Sequence, residues 1–279
     1  MASRSFWLVG LALLILSSAQ AHLQPGICSL DASPRIVDVY PSSDRLPKNT
    51  LRFYIYFSAP MDETTVFSAI SLNDANGRQI EGGFLNTTYG LWSPEGTRLT
   101  LLMDPGRVKS GLHASNMLGP ALKKDERYTL SVETTARDRQ GCPLVEAHSK
   151  TFEVSGRDNS VPNPSLWSIS APSAKSADRL KIETNEMIDH LSLAYRIRVL
   201  SSSGTPIPGR IEIGVEERSW FFTPNTRWDE DEYAIKVDPI LEDVAGNRVS
   251  GLFDAPPEAR NGKQPKPSYI QFYSVADPD

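Results

Sequence analysis

Apolar and polar residues alternate along many short segments of this chain, and this period of two constrains its fold more than any other feature. In LRFYIYFS, residues 51–58, the odd positions hold Leu, Phe, Ile and Phe, and the even positions hold Arg, Tyr, Tyr and Ser. Successive side chains of a strand point to opposite faces, so the segment is predicted to be a half-buried strand with its odd positions in the core. RLTLLMD and RYTLSVET repeat the pattern, and KTFEVSG is a further candidate strand.

A run with almost no apolar content separates these strands from a second set. SGRDNSVPNPSL, residues 155–166, is rich in Gly, Asn, Ser and Pro, a composition typical of a linker. The segments DRLKIET, YRIRVLS, GRIEIGV, SWFFTP, EYAIKVDP and SYIQFYSV follow and are predicted to be strands as well. No long helical pattern competes with them. MDETTVFSAI, residues 61–70, is expected to form a short helical crossover capped by Asp62.

The two sets of strands repeat one order of motifs. FSAPMDETTVFSAISLNDANGRQIEGGF aligns with TNEMIDHLSLAYRIRVLSSSGTPIPGRI, which matches Met61 to Ile188. LKKDERYTLSVETTARDRQGCPL aligns with WDEDEYAIKVDPILEDVAGNRV, which matches Asp138 to Asp243. A repeat of this length indicates a duplicated domain, since solenoid repeats are shorter.

The pieces FSAPMD, FTPNTRWDEDEYAIKV and EDVAGN together resemble the bacterial Ig-like domain of S-layer proteins, the SbsA or Big-5 type. The resemblance implies an all-β fold of two tandem Ig-like β-sandwich domains. TNEMID departs from the family's F-S-x-P-M, and DRQGC departs from its D-x-x-G-N. Tyr128 and Tyr233 are expected to be the buried tyrosines that anchor a corner of each sandwich. These motifs identify a fold rather than an activity.

The N-terminus has the features of a removable secretory signal peptide over residues 1–21. Arg4 supplies the positive charge, residues 6–16 the apolar segment, and Ala21 a small residue at the cleavage site. No later apolar run reaches the length of about 18 residues needed to span a membrane. We therefore expect an exported chain, in the periplasm or at the cell surface. A lipid anchor is the alternative, but Pro-Gly-Ile precedes Cys28 where small residues are required.

The predicted organisation is a signal peptide at 1–21, an N-terminal arm at 22–33, Ig-like domains at 34–155 and 167–279, and a linker at 156–166. The formal net charge is −5, and it becomes one unit more negative when Arg4 is removed with the leader. A mildly acidic chain without a basic cluster has no electrostatic attraction to nucleic acid or anionic lipid. A protein or a cell-wall component is the expected partner.

The chain contains two cysteines, Cys28 and Cys142. An oxidising compartment permits a disulfide between them, which would tie the N-terminal arm to a distant turn. In the chain-entropy model a bridge of this length contributes about 4 kcal/mol. Two unpaired thiols are the alternative.

Cleavage after residue 21 would make His22 the mature N-terminus, where the free amine and the imidazole together can bind copper. The chain is similar here to the periplasmic copper carriers of the CopC family, Ig-like sandwiches that begin with histidine and add an aspartate and a histidine from an S-x-D-G-H-P turn. The matching turn, ARDRQGCP, contains Asp138 but has Cys142 in place of the histidine. A copper-binding protein using His22 and Asp138 is therefore the alternative function, with Cys142 or His148 needed to complete the site.

No catalytic constellation emerges from the remaining motifs, and no resident cofactor is predicted. His113, His148 and His190 lack metal-ligand spacing and are expected in surface loops. A G-x-S-x-G elbow and a coherent Ser, His and Asp set are both missing from the sequence. The leading prediction is thus a non-catalytic exported module that acts in binding or structure at the cell envelope.

Two further segments carry weaker functional predictions. The insert at residues 104–120 has no counterpart in the second half and contains Arg107 and Lys109, so it is either an elaborated loop or the site of a hydrolase. The acidic run at residues 229–232 is either a solvated turn or a calcium site. A turn is favoured, since four successive acidic residues cannot all face one ion.

Overall fold

The computed structural model of the chain describes residues 28–85, 91–109, 119–255 and 265–275. Strands predominate in these ranges, and every helix is short. No helix in the described ranges is long and apolar enough to cross a membrane. The predicted signal peptide, His22 and His113 all lie outside the described residues.

The first half forms two sheets of three and four strands. The three-stranded sheet contains, in spatial order, β1 (Ile36–Tyr40), β3 (Arg52–Phe57) and β5 (Arg98–Leu102). The four-stranded sheet contains β2 (Arg45–Pro47), β7 (His148–Ser155), β6 (Arg127–Val132) and β4 (Ile70–Asp74). The strands β2 and β7 run parallel, and all other neighbours in the two sheets are antiparallel.

The second half is built in the same way. Its four-stranded sheet contains, in spatial order, β11 (Gly209–Ile213), β12 (Ser219–Pro224), β9 (Leu180–Glu183) and β8 (Ser168–Ser170). Its three-stranded sheet contains β10 (Ile197–Leu200), β13 (Asp231–Val237) and β14 (Ser268–Ser274). All neighbours in both sheets are antiparallel. The all-β sandwich fold predicted from the alternating pattern is therefore present in each half.

Each half has its own hydrophobic core, filled by the alternating residues. The odd positions of the first predicted strand, Leu51, Phe53, Ile55 and Phe57, are all less than 5% exposed. The inward positions of β6, β9 and β10 are equally buried. The prediction fails at Val215, the last apolar position of the predicted strand GRIEIGV, which is 84% exposed because the chain leaves β11 there for a short 3-10 turn. Period-two alternation thus located both cores, with an error at one strand end.

Within the described ranges, three short α-helices accompany the sheets: α1 (Glu63–Val66), α2 (Pro105–Val108) and α3 (His190–Tyr195). The Asp62 carboxylate caps α1 by accepting a hydrogen bond from the amide of Thr64, 3.0 Å away, which confirms the predicted crossover. His190 and His148 were expected in loops, and this is wrong for both. His190 is the first residue of α3 and His148 the first of β7, because each belongs to the regular element whose start the sequence pattern did not resolve.

The aligned motifs of the two halves make equivalent contacts. Met61 bridges to Asp138 in the first half, and Ile188 bridges to Asp243 in the second. The two predicted corner tyrosines are also equivalent. The Tyr128 hydroxyl accepts a hydrogen bond from the amide of Lys123 at 3.1 Å, and that of Tyr233 accepts one from the amide of Asp229 at 3.0 Å. The predicted domain boundaries remain predictions.

Candidate functional site

The structure shows the contacts of two residues that were considered as copper ligands, Cys142 and Asp138. Cys28 and Cys142 form a disulfide with 5.5 Å between their Cα atoms, so Cys142 offers no thiolate to a metal. Asp138 is 3% exposed. One oxygen of its carboxylate, Oδ1, accepts hydrogen bonds from the amides of Gln140 at 2.9 Å and Cys142 at 2.8 Å. Asp138 therefore organises the turn that carries the disulfide.

The insert at 104–120 is partly described and packs as structure. Arg107 is 8% exposed, and its guanidinium donates hydrogen bonds to the carbonyls of Gly119 and Glu81. Lys109 lies over the ring of Phe253, 4.4 Å from the centroid, so the insert contacts the second half of the chain. In the described part of the insert, both cations are therefore engaged in contacts with the rest of the chain.

The carboxylates of the acidic run at 229–232 do not converge on a common position that could hold a metal ion. Asp229, Glu230 and Asp231 are exposed. Asp231 accepts a hydrogen bond from the Ser202 hydroxyl at 2.7 Å, and this contact helps to hold its pKa below the usual range. The run is therefore a solvated segment that leads into β13, whose first two residues are Asp231 and Glu232.

The main concentration of buried polar groups lies between the two sandwiches. We call this contact the junction and define it by Tyr40, Ser42, Leu51, Arg52 and Tyr54 of the first half and Asp189, His190, Glu217, Glu242 and Val244 of the second. The even positions of the predicted strand 51–58 were expected to face solvent, but Tyr54 is 1% exposed. This outer face of β3 is covered by the second sandwich, because residues from α3 and the EDVAGN turn pack onto it.

The centre of the junction is an ionic group of two buried carboxylates and an arginine whose side chain is 23% exposed. The Arg52 guanidinium donates from Nη2 to Glu242 Oε2 at 2.5 Å, and its Nε lies 4.0 Å from Asp189 Oδ2. The Tyr54 hydroxyl donates to the same Asp189 oxygen at 2.7 Å. The Asp189 and Glu242 side chains are only 4% and 11% exposed. Burial raises the pKa of the Asp189 carboxyl, and Arg52 opposes that shift, so the carboxylate of Asp189 depends on the cation of the other sandwich. Glu242 has a second cation, because Arg248 of its own sandwich donates from Nε to Glu242 Oε1 at 2.9 Å.

A second polar contact lies at one end of the junction. Both carboxylate oxygens of Glu217 accept hydrogen bonds from the amide of Ser42, at 3.0 and 2.9 Å. Glu217 is completely buried, and burial raises the pKa of its carboxyl. Glu216 and Glu217 have φ values of 56° and 52°, a left-handed conformation that costs a non-glycine residue of the order of 1 kcal/mol. The contacts to Ser42 offset this strain.

Apolar and backbone contacts complete the junction. Met187 and Val244 of the second half belong to the hydrophobic core of the first. The amide of Leu51 donates to the carbonyl of Val244 at 2.9 Å. Gly246 has a φ of 80°, and a Cβ at this position would lie 2.5 Å from Leu51 Cδ2, so a glycine is required for the close approach.

His190 lies in an aromatic group at the junction. Its ring stacks on Tyr40 with 3.6 Å between centroids and meets Tyr56 edge-on at 5.7 Å. The Nδ1 atom of His190 is buried without a hydrogen-bond partner. Burial, assisted by the charge of Arg98, lowers the pKa of the His190 imidazole to about 4. The folded junction therefore holds a neutral histidine.

Acidification is expected to weaken the junction through His190. An imidazole with a pKa of about 4 when folded and about 6.5 when unfolded favours the folded state fully above pH 6.5. This contribution is lost as the pH falls towards 4, by up to about 1.4 kcal/mol per pH unit. His190→Phe keeps the stacked ring without the titration. Urea unfolding of both proteins from pH 7 to pH 4 should show wild type losing stability relative to the variant. A parallel pH dependence of the two would contradict this assignment.

The predicted linker is attached to both sandwiches. Asn49 forms two hydrogen bonds with the backbone of Asp158, one to its carbonyl at 2.8 Å and one from its amide at 2.9 Å. Arg157 donates to the Val108 carbonyl at 2.9 Å and to Asp254 Oδ2 at 2.5 Å. The segment therefore fixes the two halves together rather than tethering them loosely.

Three carboxylates meet beside this linker. Oxygens of Asp158, Glu186 and Asp243 lie within 4.8 Å of one another, and we call these residues the carboxylate cluster. Among the described residues, no salt bridge reaches any of the three. Burial, with Asp158 adding to it, raises the pKa of Glu186 to about 6. Burial also raises the pKa of Asp243 to about 8. At neutral pH the folded structure therefore favours a proton on the carboxyl of Asp243.

The carboxylate cluster is the group of described residues whose ligand atoms come near enough for a metal ion. Oxygen donors suit Ca²⁺ or Mg²⁺ rather than copper. Ca²⁺ takes about six to eight oxygens, and two of the three carboxylates already accept hydrogen bonds in their own turns. The cluster therefore supplies only part of a coordination shell.

Glu186→Gln is expected to stabilise the protein by about 1 kcal/mol at pH 8, where ionised Glu186 repels its neighbours. A carboxyl whose folded pKa is raised to about 6 loses folded-state stability as the pH rises from about 4.5 to 6. The gain should therefore vanish at pH 4. Urea unfolding in a chelator measures it, with Glu230→Gln, at an exposed position, as the matched control. A loss of stability at pH 8 would contradict the repulsion.

Neither a family model nor a curated protein matches the sequence. Solved structures do match it. CopC from Methylosinus trichosporium OB3b is 16% identical over 46% of this chain and 98% of its own, with a TM-score of 0.31. The S-layer protein SbsC is 11% identical over 73% of this chain, with a TM-score of 0.30, and this chain spans only 23% of it.

An animal protein is similar to the same degree. The N-terminal Ig1-2 module of Drosophila receptor protein tyrosine phosphatase DLAR is 14% identical over 74% of this chain and 91% of its own, with a TM-score of 0.25. These similarities assign no activity or partner to the chain.

Proposed function

We propose that the chain is a non-catalytic exported module of the cell envelope, in which two Ig-like sandwiches are held as one rigid body. The single observation that carries the proposal is the ionic group at the junction, where Arg52 of one sandwich pairs with Asp189 and Glu242 of the other. Two loosely tethered domains gain nothing from burying charged groups between them. A fixed orientation of the two sandwiches, in contrast, requires specific contacts of this kind.

The polar groups of the junction are engaged in structure rather than set up for chemistry. The Tyr54 hydroxyl, the Arg52 guanidinium and both Glu217 oxygens are bonded to partners across the junction. A fixed pair of sandwiches presents its outer loops and strand edges at constant spacing. This arrangement suits a binding or structural role towards a protein or cell-wall partner.

Cosedimentation with isolated cell envelopes of the producing organism tests the role. The purified protein should bind saturably, and a variant with a weakened junction, Arg52→Met, should bind at least about tenfold less tightly if both sandwiches contact the envelope together. Absence of saturable binding would contradict an envelope role. Equal binding by the variant at a temperature where it remains folded would contradict rigid presentation.

A further inference from the structure

Sheet edges expose unpaired backbone groups, and proteins protect such edges by keeping strands short or placing charges on them. In the described residues, the four sheets end in eight edge strands. Two of these, β2 and β8, have three residues each. Five others carry at least one charged residue: Asp38 in β1, Asp74 in β4, Arg98 in β5, Arg198 in β10 and Arg210 in β11.

The remaining edge strand, β14, has neither form of protection. It is seven residues long, and its sequence SYIQFYS contains no charge. Tyr269 and Tyr273 are 55% and 60% exposed on its outer face, with Gln271 exposed between them. An uncharged strand edge of this length is a template for pairing with another strand.

The hydrogen-bonding pattern shows which backbone groups of β14 face outwards. The amide of Asp238, just after β13, donates to the carbonyl of Arg196, so the backbone groups at even positions of β13 form their hydrogen bonds with β10. Backbone groups at successive positions of a strand point to opposite sides, so those at odd positions of β13 form their hydrogen bonds with β14. Their partners in β14 are at even positions, as in the pair Tyr233 and Phe272. The amides and carbonyls of Tyr269, Gln271 and Tyr273 then point away from the sheet.

The free part of the edge has defined ends. The carbonyl of Val275 accepts a hydrogen bond from the amide of Ala174 at 2.9 Å, which closes the edge beyond Tyr273. The short turn Pro164–Leu166 also packs against β14. As far as the described residues show, the available edge is the stretch from Tyr269 to Tyr273.

The sequence of this stretch is nearly palindromic about Gln271. Tyrosines lie two positions to either side of it, and an isoleucine and a phenylalanine lie one position away. In an antiparallel pair of two such strands, Tyr269 of one copy faces Tyr273 of the other, and the two Gln271 residues face each other. Aromatic residues directly opposite on neighbouring strands stabilise a sheet.

The neighbouring strand adds charge complementarity to the same arrangement. Within one copy, Glu232 of β13 lies beside Tyr273, and Lys236 lies beside Tyr269. Antiparallel pairing of two copies places the Glu232 end of one copy in line with the Lys236 end of the other. Opposite charges thus flank each tyrosine pair, which favours this direction of pairing over the parallel one.

We propose that β14 pairs antiparallel with β14 of a second copy of this chain, across a two-fold axis at Gln271. The two three-stranded sheets then form one continuous sheet. The pairing uses about six backbone hydrogen bonds and a small contact area. Association is therefore weak in solution and gains importance where the protein is concentrated on a surface.

Sedimentation equilibrium of the purified protein from micromolar to millimolar concentration tests the proposal. Wild type should show a concentration-dependent dimer. Because the axis passes through residue 271, Gln271→Lys and Gln271→Glu each place like charges opposite each other and should raise the dimer dissociation constant by about tenfold. An equimolar mixture of the two variants should restore association. Gln140→Lys, the same change in an exposed turn, should leave it unchanged.

Each result supports or overturns the arrangement. A wild-type protein that stays monomeric at millimolar concentration would show that the edge serves a different chain or none. A dimer unaffected by both charged variants would place the interface elsewhere. Loss of the dimer in each variant without recovery in the mixture would overturn the two-fold axis at Gln271.

Discussion

Replacing both Cys28 and Cys142 with serine is expected to lower the free energy of unfolding by about 4 kcal/mol. The two residues are joined across 114 positions of the chain, so the bridge removes a large closed loop from the conformations of the unfolded state. It also ties the beginning of the described chain to the turn organised by Asp138. Urea unfolding of the double variant and of wild type under oxidising conditions measures the difference.

A reducing agent provides the control for the disulfide. Wild type in excess reductant should approach the stability of the double variant, and the variant itself should not respond. A double variant within about 1 kcal/mol of oxidised wild type would contradict the loop-closure argument. It would also mean that the N-terminal arm is held by its other contacts.

Arg52→Met is expected to destabilise the protein by about 3 kcal/mol. The substitution keeps most of the side-chain volume but removes the cation from the buried carboxylate of Asp189, while Glu242 keeps its pair with Arg248 at 2.9 Å. Removal of one partner from a buried ion pair is costly because the remaining charge stays out of water. Urea unfolding at pH 7 measures the loss, and the same experiment shows whether the two sandwiches still unfold together.

Arg127→Met is the matched control. Arg127 also pairs with a carboxylate, that of Glu153, at 2.9 Å, but the two side chains are 62% and 59% exposed. An exposed pair contributes below about 1 kcal/mol. Equal losses of unfolding free energy in the two variants would show that burial of the charges at the junction does not increase their contribution to stability.

The sequence was sufficient for the fold because period-two alternation is a local signal. It located the strands around Phe53, Leu101 and Leu130 and the corner tyrosines, since each of these residues faces the core of its own sandwich. It failed at Val215, where the chain turns out of β11. It also placed His148 and His190 in loops, because a lone histidine at the end of a short element carries no periodic signal.

The junction was much harder to foresee. Arg52 and Tyr54 occupy the polar face of an alternating strand, which is also the pattern of a strand exposed to solvent. Only the placement of the second sandwich buries them, and that depends on contacts between residues more than a hundred positions apart. One local hint existed, since Tyr54 and Tyr56 are large rings on predicted outward positions.

Residual dipolar couplings in solution test most directly whether the junction makes the two sandwiches one rigid body. Couplings from amides of the strands β1 to β7 and of β8 to β14 are fitted separately to the structure. We predict that both sets give the same alignment tensor, with equal magnitude and orientation. Two tensors that differ in magnitude or direction would show that the sandwiches reorient independently, and would contradict the account of the junction.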